Sequence, residues 1–279
     1  MKYKIGTRGS ALAVAQTNIV IGKLKEAYPE DAFEIEIIKT TGDKNTSVSV
    51  GQLGSKGAFV DEIEKALIEN KIHLAVHSMK DMPVKMDERL ILSKAFKRED
   101  PRDVLICREA TSLEDLKEGA IIATCSKRRA FQLKKLRPDI EIVDIRGNID
   151  TRLRKLYEPM KDGRRMDGLI LAAAGLHRLH LNDKITQYFS PEEMIPSPCQ
   201  GILAIELRAD NTELLDKLDI LSDPDTQRAA MAERRFLEQT GASCHLPIGA
   251  YLDTDHNMFY SLFGNEDGSF LDINSEKYE

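Results

Sequence analysis

Short apolar runs alternate with amphipathic stretches along most of this chain. Residues 3–7 read as a first strand, and residues 72–76 are an apolar run too short for a helix that follows the polar Glu69, Asn70 and Lys71, as a buried strand would. Residues 33–39 alternate apolar and charged positions, which predicts another strand. Between the first two strands Ser10 is a good N-cap, Leu12, Ala15, Ile19 and Leu24 share one helical face, and Pro29 stops the helix. Residues 58–69 predict a second helix with Phe59, Ile63, Ala66 and Leu67 inward, and residues 90–96 a further strand. The polar, glycine-rich stretch 40–57 predicts a mobile loop, although its run from Gly51 to Gly57 lacks the spacing of a phosphate loop. Beyond Pro101 the alternation resumes, with strands at 104–107, 120–123, 140–143, 168–171 and 202–207. Helices are expected at 126–136, 148–157, 172–179 and 225–239, then short strands and turns over 241–279. Alternation of this kind predicts an α/β fold with doubly wound, mostly parallel sheets. Two crossings interrupt it: the charged run Arg98-Glu99-Asp100-Pro101-Arg102-Asp103, and residues 190–201 with Pro191, Pro196 and Pro198. Both are expected to be domain boundaries.

Composition narrows the function classes. The 279 residues are 42% hydrophobic and 31% charged, enough for two or three domains with their own cores. A formal net charge of −6 argues against a general nucleic-acid or membrane-surface role. No apolar run is long enough to span a bilayer, and Met1 leads into strand-like sequence with no signal-peptide region, so a cytosolic protein is expected. Cys107, Cys125, Cys199 and Cys244 are scattered with no CxxC pair, so reduced thiols and no metal site are expected.

Candidate chemistry sits at the ends of predicted strands. The 72–76 strand runs into His77-Ser78-Met79-Lys80-Asp81-Met82-Pro83, placing Lys80 and Asp81 where ligand crevices of open α/β sheets lie. A solvated ion pair in a surface turn is the other possibility. Arg8 precedes the helix capped by Ser10; Arg128 and Arg129 follow the Ser126 cap; Arg146 and Arg152 flank the helix start at Asn148. Cations at helix N-termini oppose the helix dipole by roughly 0.3–1 kcal/mol each. Each alone could extend into water, but the recurrence favours an anion site for a multiply carboxylated small molecule. Cys244 lies among the small and turn-forming residues 241–249, unlike the other three thiols, and either a structural or a reactive role is open to it.

Taken in order, Thr7-Arg8-Gly9-Ser10, Gly54-Ser55-Lys56-Gly57-Ala58-Phe59, residues 77–83, residues 98–103, Arg146-Gly147-Asn148, Cys199-Gln200-Gly201 and residues 244–249 resemble the porphobilinogen deaminase family, also called hydroxymethylbilane synthases. The likeness spans residues 5 to about 251. It implies two lobes like those of periplasmic binding proteins, 1–98 with 197–219 and 99–196, and a small third α/β domain at 220–279. It implies a dipyrromethane cofactor held by Cys244 through a thioether, to which porphobilinogen units are added with loss of ammonia. The expected product is hydroxymethylbilane, in tetrapyrrole biosynthesis. Asp81 matches the catalytic aspartate, which would deliver a proton and stabilise the azafulvene cation. Lys80, Asp81, Ser126, Arg128, Arg129 and Arg146 match cofactor-binding positions, and Arg8, Ser10, Lys56 and Arg152 substrate-binding ones. A cytosolic monomer without nucleic-acid or membrane partners is the corresponding expectation. The chain departs from the family pattern at Ala242-Ser243 (usually Gly-Gly), Lys127 (usually leucine) and Cys199 (usually glycine). Residues 157–167 look lengthened, with Arg164 and Arg165 added, and family members usually continue past position 279 with further helical sequence. A carboxylate-binding protein of the same architecture would explain the arginines without chemistry, and a thiol hydrolase would use Cys244 without pyrroles.

Overall fold

A computed structural model describes residues 1–40, 60–241 and 246–278. In chain order the elements begin with β1 (Lys2–Thr7), α1 (Ala11–Ala27), β2 (Ala32–Ile37), α2 (Asp61–Ile68), β3 (Leu74–Ser78) and β4 (Leu90–Leu92). The middle of the chain forms β5 (Asp103–Cys107), β6 (Ile121–Ala123), α3 (Lys127–Leu136), β7 (Glu141–Val143), α4 (Ile149–Tyr157), β8 (Gly168–Ala172), α5 (Ala173–Arg178) and β9 (Gln187–Tyr188). Then come β10 (Leu203–Arg208), α6 (Thr212–Asp219), α7 (Pro224–Gln239), β11 (Gly249–Asp253), β12 (Met258–Gly264) and β13 (Leu271–Lys277). Two units separate, Met1–Arg98 with Ile202–Met231 and Glu99–Gly201 with Ala232–Glu279. Among the described residues no helix is long and apolar enough to cross a membrane.

The first unit holds the sheet β2-β1-β3-β10-β4, in which β1 runs parallel to β2 and β3, and β10 antiparallel to β3 and β4. The second holds β7-β6-β8-β5-β9, with β6 parallel to β7 and β8, and β5 antiparallel to β8 and β9. One plan serves both: three parallel strands, then a strand from elsewhere in the chain entering antiparallel, then a short edge strand. An antiparallel sheet, β11-β12-β13, belongs to the second unit.

Local sequence explains most boundaries. The Ser10 hydroxyl accepts from the Ala13 amide at 3.3 Å and caps α1. Leu74 and Val76 of β3 join Val20 and Leu24 of α1 in one core, whereas Ala75 joins Ile63 and Leu67 of α2 in another. Burial on both faces is why this strand reads as an unbroken apolar run.

Several elements differ from expectation. β3 extends through His77 and Ser78 because Ser78 pairs with Leu203 of β10. Of the strand expected over 90–96, only Leu90–Leu92 is regular strand, opposite Arg208, Leu207 and Glu206, with one further bond from the Ser93 amide to the Ile205 carbonyl at 2.9 Å. Helix α6 was not anticipated; it is short, capped by Asn211 and held by buried Leu214 and Leu218. The loop expected at 40–57 falls outside the described residues apart from Thr40, as do Ala58 and Phe59 of the expected helix.

Candidate active site

In each unit the parallel strands deliver their candidate residues to one sheet edge. Within the first, β1 ends at Thr7, just before Arg8, and β3 leads into a single 3₁₀ turn, Met79–Asp81. The Met79 amide donates to the Ile202 carbonyl at 3.0 Å, and Met79 and Met82 are both buried. These contacts pin the turn from beneath, leaving Lys80 half-buried and Asp81 exposed. The Gln16 side-chain amide of α1 donates to the Ser78 hydroxyl at 2.8 Å and ties the helix to the strand end. Ser10 spends its hydroxyl as the α1 cap, and Arg8 is half-buried just before it.

A pair that sequence reasoning passed over lies under α2. His77 Nε2 of β3 is 3.2 Å from Glu206 Oε2 of β10, and both side chains are buried. Burial, then the neighbouring Glu206 charge, raises the pKa of Glu64 on α2.

In the second unit, the Ser126 hydroxyl caps α3 by accepting from the Arg129 amide. The next two arginines do not extend into water: Arg128 is 5% exposed and Arg129 is 7% exposed. Both close on Asp103, the first residue of β5, which is fully buried. Arg128 Nη1 donates to Asp103 Oδ2 and to the Ile195 carbonyl, each at 2.6 Å. Arg129 donates through Nε at 2.9 Å and Nη2 at 2.7 Å to Asp103 Oδ1, and through Nη1 to the Ile170 carbonyl at 3.2 Å. The Gln200 amide adds a bond to Asp103 Oδ1 at 2.9 Å and one to the Pro101 carbonyl at 2.8 Å. Burial would raise the Asp103 pKa, but Arg128 and then Arg129 overcome it and hold the carboxyl far below the usual range. Burial lowers the pKa of Arg128 against the pull of Asp103. Among the described residues two guanidinium groups thus share one carboxylate, leaving one surplus positive charge beside the electropositive start of α3.

Arg146 is exposed before α4, and the Arg152 Nε donates to the Gly147 carbonyl at 2.7 Å. Gly147 has φ +118°, a left-handed conformation that brings Thr151 within 3 Å of any added Cβ. Arg178 at the end of α5 was not singled out from sequence. It is half-buried, donates to the Gly201 carbonyl at 2.6 Å, and burial lowers its pKa to about 10 despite Glu99. It closes a helix and does not follow a strand end, so the pattern that marked the other arginines does not mark it. Lys56 and Cys244 lie outside the described residues.

The model of a family described as porphobilinogen deaminase, dipyromethane cofactor binding domain, matches residues 3–216. The chain belongs to the porphobilinogen deaminase family. Curated family members include the porphobilinogen deaminase of Lachnospira eligens, 54% identical over 272 residues, which cover 96% of this chain and 91% of that one. The porphobilinogen deaminase of Clostridioides difficile is 47% identical over 278 residues, covering 99% and 91%. Among solved structures, the methionine binding protein MetQ aligns with a TM-score of 0.47 at 13% identity, over 84% of this chain and 95% of that one. A likeness that loose carries no functional argument. In this porphobilinogen deaminase family member, Arg8, Ser10, Ser126 and Arg146 stand between a strand's carboxyl end and the next helix, Lys80 and Asp81 lie in the turn after β3, and Arg128, Arg129 and Arg152 lie in the first turns of α3 and α4.

Proposed function

We propose that this chain joins four porphobilinogen molecules head-to-tail, with loss of ammonia at each addition, on a dipyrromethane primer bound through Cys244, and that water then cleaves the tetrapyrrole from the primer and supplies the hydroxyl of hydroxymethylbilane. Support comes foremost from the surplus positive charge where Arg128 and Arg129 share Asp103. A primer whose pyrroles carry acetate and propionate groups fits that donor set, because a second carboxylate would balance the charge and take up guanidinium donors left over by Asp103. Ser126, Arg128, Arg129 and Arg146 would hold those groups, with Lys80 and Asp81 as further contacts. When bound, the dipyrromethane would supply the free pyrrole end from which the chain grows.

The chain's own residues supply the rest. Arg8, Ser10, Arg152 and Lys56 would orient the carboxylates of incoming porphobilinogen. Asp81 would keep the departing amine protonated so that it leaves as ammonia, and its carboxylate would steady the positive charge left on the substrate's methylene carbon. The proton lost as the new carbon–carbon bond forms would restore the acid. Residues 220–279 would act as the attachment domain, and the enzyme as a cytosolic monomer; size-exclusion chromatography checks the latter.

Intact-mass measurement tests the assignment. The wild-type chain should carry an adduct of two pyrrole units and Cys244→Ser none, because a serine hydroxyl without a partnered base is a far weaker nucleophile than a thiolate. A serine variant that still turned pink with an acidic aldehyde reagent would overturn the attachment site. An unmodified wild-type mass would favour a carboxylate-binding protein.

A further inference from the structure

We propose that Glu233 is a positioning residue that ties the arginine anchor of the second unit to the strand following the attachment segment. The proposal rests on the function assigned above. Cys244 lies in sequence between α7, which ends at Gln239, and β11, which begins at Gly249. Glu233, on α7, is 0% exposed. Its Oε1 accepts from the Leu252 amide of β11 at 3.0 Å, and its Oε2 from the Cys199 amide at 2.6 Å. An ionised carboxylate is costly to bury unless such donors meet it. An apolar side chain would suit so buried a position, but it could not grip two backbone amides.

The second amide belongs to a strained turn. Cys199 has φ +60°, a left-handed conformation that non-glycine residues rarely adopt, and it is buried. The following residue, Gln200, reaches Asp103, which holds Arg128 and Arg129. Buried hydrogen bonds therefore run from β11 through Glu233 to the 199–200 turn, and from Gln200 through Asp103 to both arginines. The carboxylate fixes β11, and with it one end of the segment bearing Cys244, against the groups that would bind the primer's carboxylates.

The test uses the full-length chain as it is produced with its adduct, in four forms: wild type, Glu233→Gln, Leu252→Ala, and Glu233→Gln combined with Cys199→Gly. Three quantities are read: amide hydrogen exchange at Cys199 and Leu252, the fraction of chains carrying the two-pyrrole mass, and the melting temperature. Glu233→Gln presents an amide to one backbone N–H, so exchange at that site should quicken roughly tenfold or more, the worth of one charge-assisted hydrogen bond. Its adduct fraction should fall further than that of Leu252→Ala at equal loss of melting temperature, since Leu252→Ala keeps the backbone N–H. Cys199→Gly, which relieves the left-handed strain, should restore part of the adduct to the Glu233→Gln chain. Unchanged exchange at both amides would overturn the clamp. Equal adduct loss in the matched Leu252→Ala chain, or no recovery with Cys199→Gly, would reduce Glu233 to a stabilising residue. If Glu233→Gln does not accumulate, Glu233→Asp, which keeps the charge but is too short to span both amides, is measured in the same way. A wild-type chain with no adduct would defeat the assigned function, while the exchange rates would still decide the clamp.

Discussion

Asp81 is the residue to which the proposed reaction assigns proton transfer, and its surroundings separate that role from stability. It is exposed at the end of a turn whose hold on the protein comes from the buried Met79 and Met82. Asp81→Asn keeps that hold and the side chain's shape while removing the proton carrier and the negative charge. Turnover should fall by roughly 10²–10⁴-fold from lost acid–base catalysis alone, with the melting temperature unchanged. Asp81→Glu should retain more activity than Asn, because the carboxylate is displaced by one methylene but not removed. Single-turnover ammonia release by chains carrying the adduct measures both; near-normal release from Asp81→Asn would leave the residue a positioning role.

At the scale of elements, Asp103 joins the start of β5 to the first turn of α3 through Arg128 and Arg129. Asp103→Asn would leave two buried guanidinium groups without their carboxylate, which costs about 3–5 kcal/mol. Because the folded pKa of Asp103 is depressed, its stabilisation is fully present above the unfolded value of about 3.9 and is lost as pH falls towards the folded value. Denaturant titrations should therefore show a large gap between wild type and Asp103→Asn at neutral pH. The gap should narrow only in acid below about pH 4. A gap that closed between pH 5 and pH 7 would mean that some other group controls the anchor.

For the whole chain, the two units differ in how their strands are supplied. The sheet of the first needs β10, which lies between β3 and β4 and arrives after the entire second sheet has been made. A fragment of residues 1–98 would lack β10 together with Leu214 and Leu218 of its core. It would expose the unpaired edge of β3 and should show no cooperative thermal transition by circular dichroism. A fragment of residues 99–201 keeps all five strands of its sheet and should retain one. A cooperative melt from the shorter fragment would show that β10 is dispensable to the first sheet.

Periodicity alone placed most strands and helices within about two residues, because burial on both faces of β3 and the Ser10 and Ser126 caps are local properties written into neighbouring positions. The ordered motifs likewise pointed to the family and named Asp81 and the arginines before any geometry was known. Tertiary structure decided what is non-local. The antiparallel entry of β10 and β5, and the length of β4, depend on partners far along the chain, which hydropathy does not encode. Arg128 and Arg129 read equally well from sequence as solvated or ligand-facing, and only the fold brings Asp103 to them from about 25 residues earlier. His77 with Glu206, and Glu233 with the Cys199 and Leu252 amides, left no trace in spacing. A buried carboxylate looks like any other acidic residue until the groups that satisfy it are folded around it.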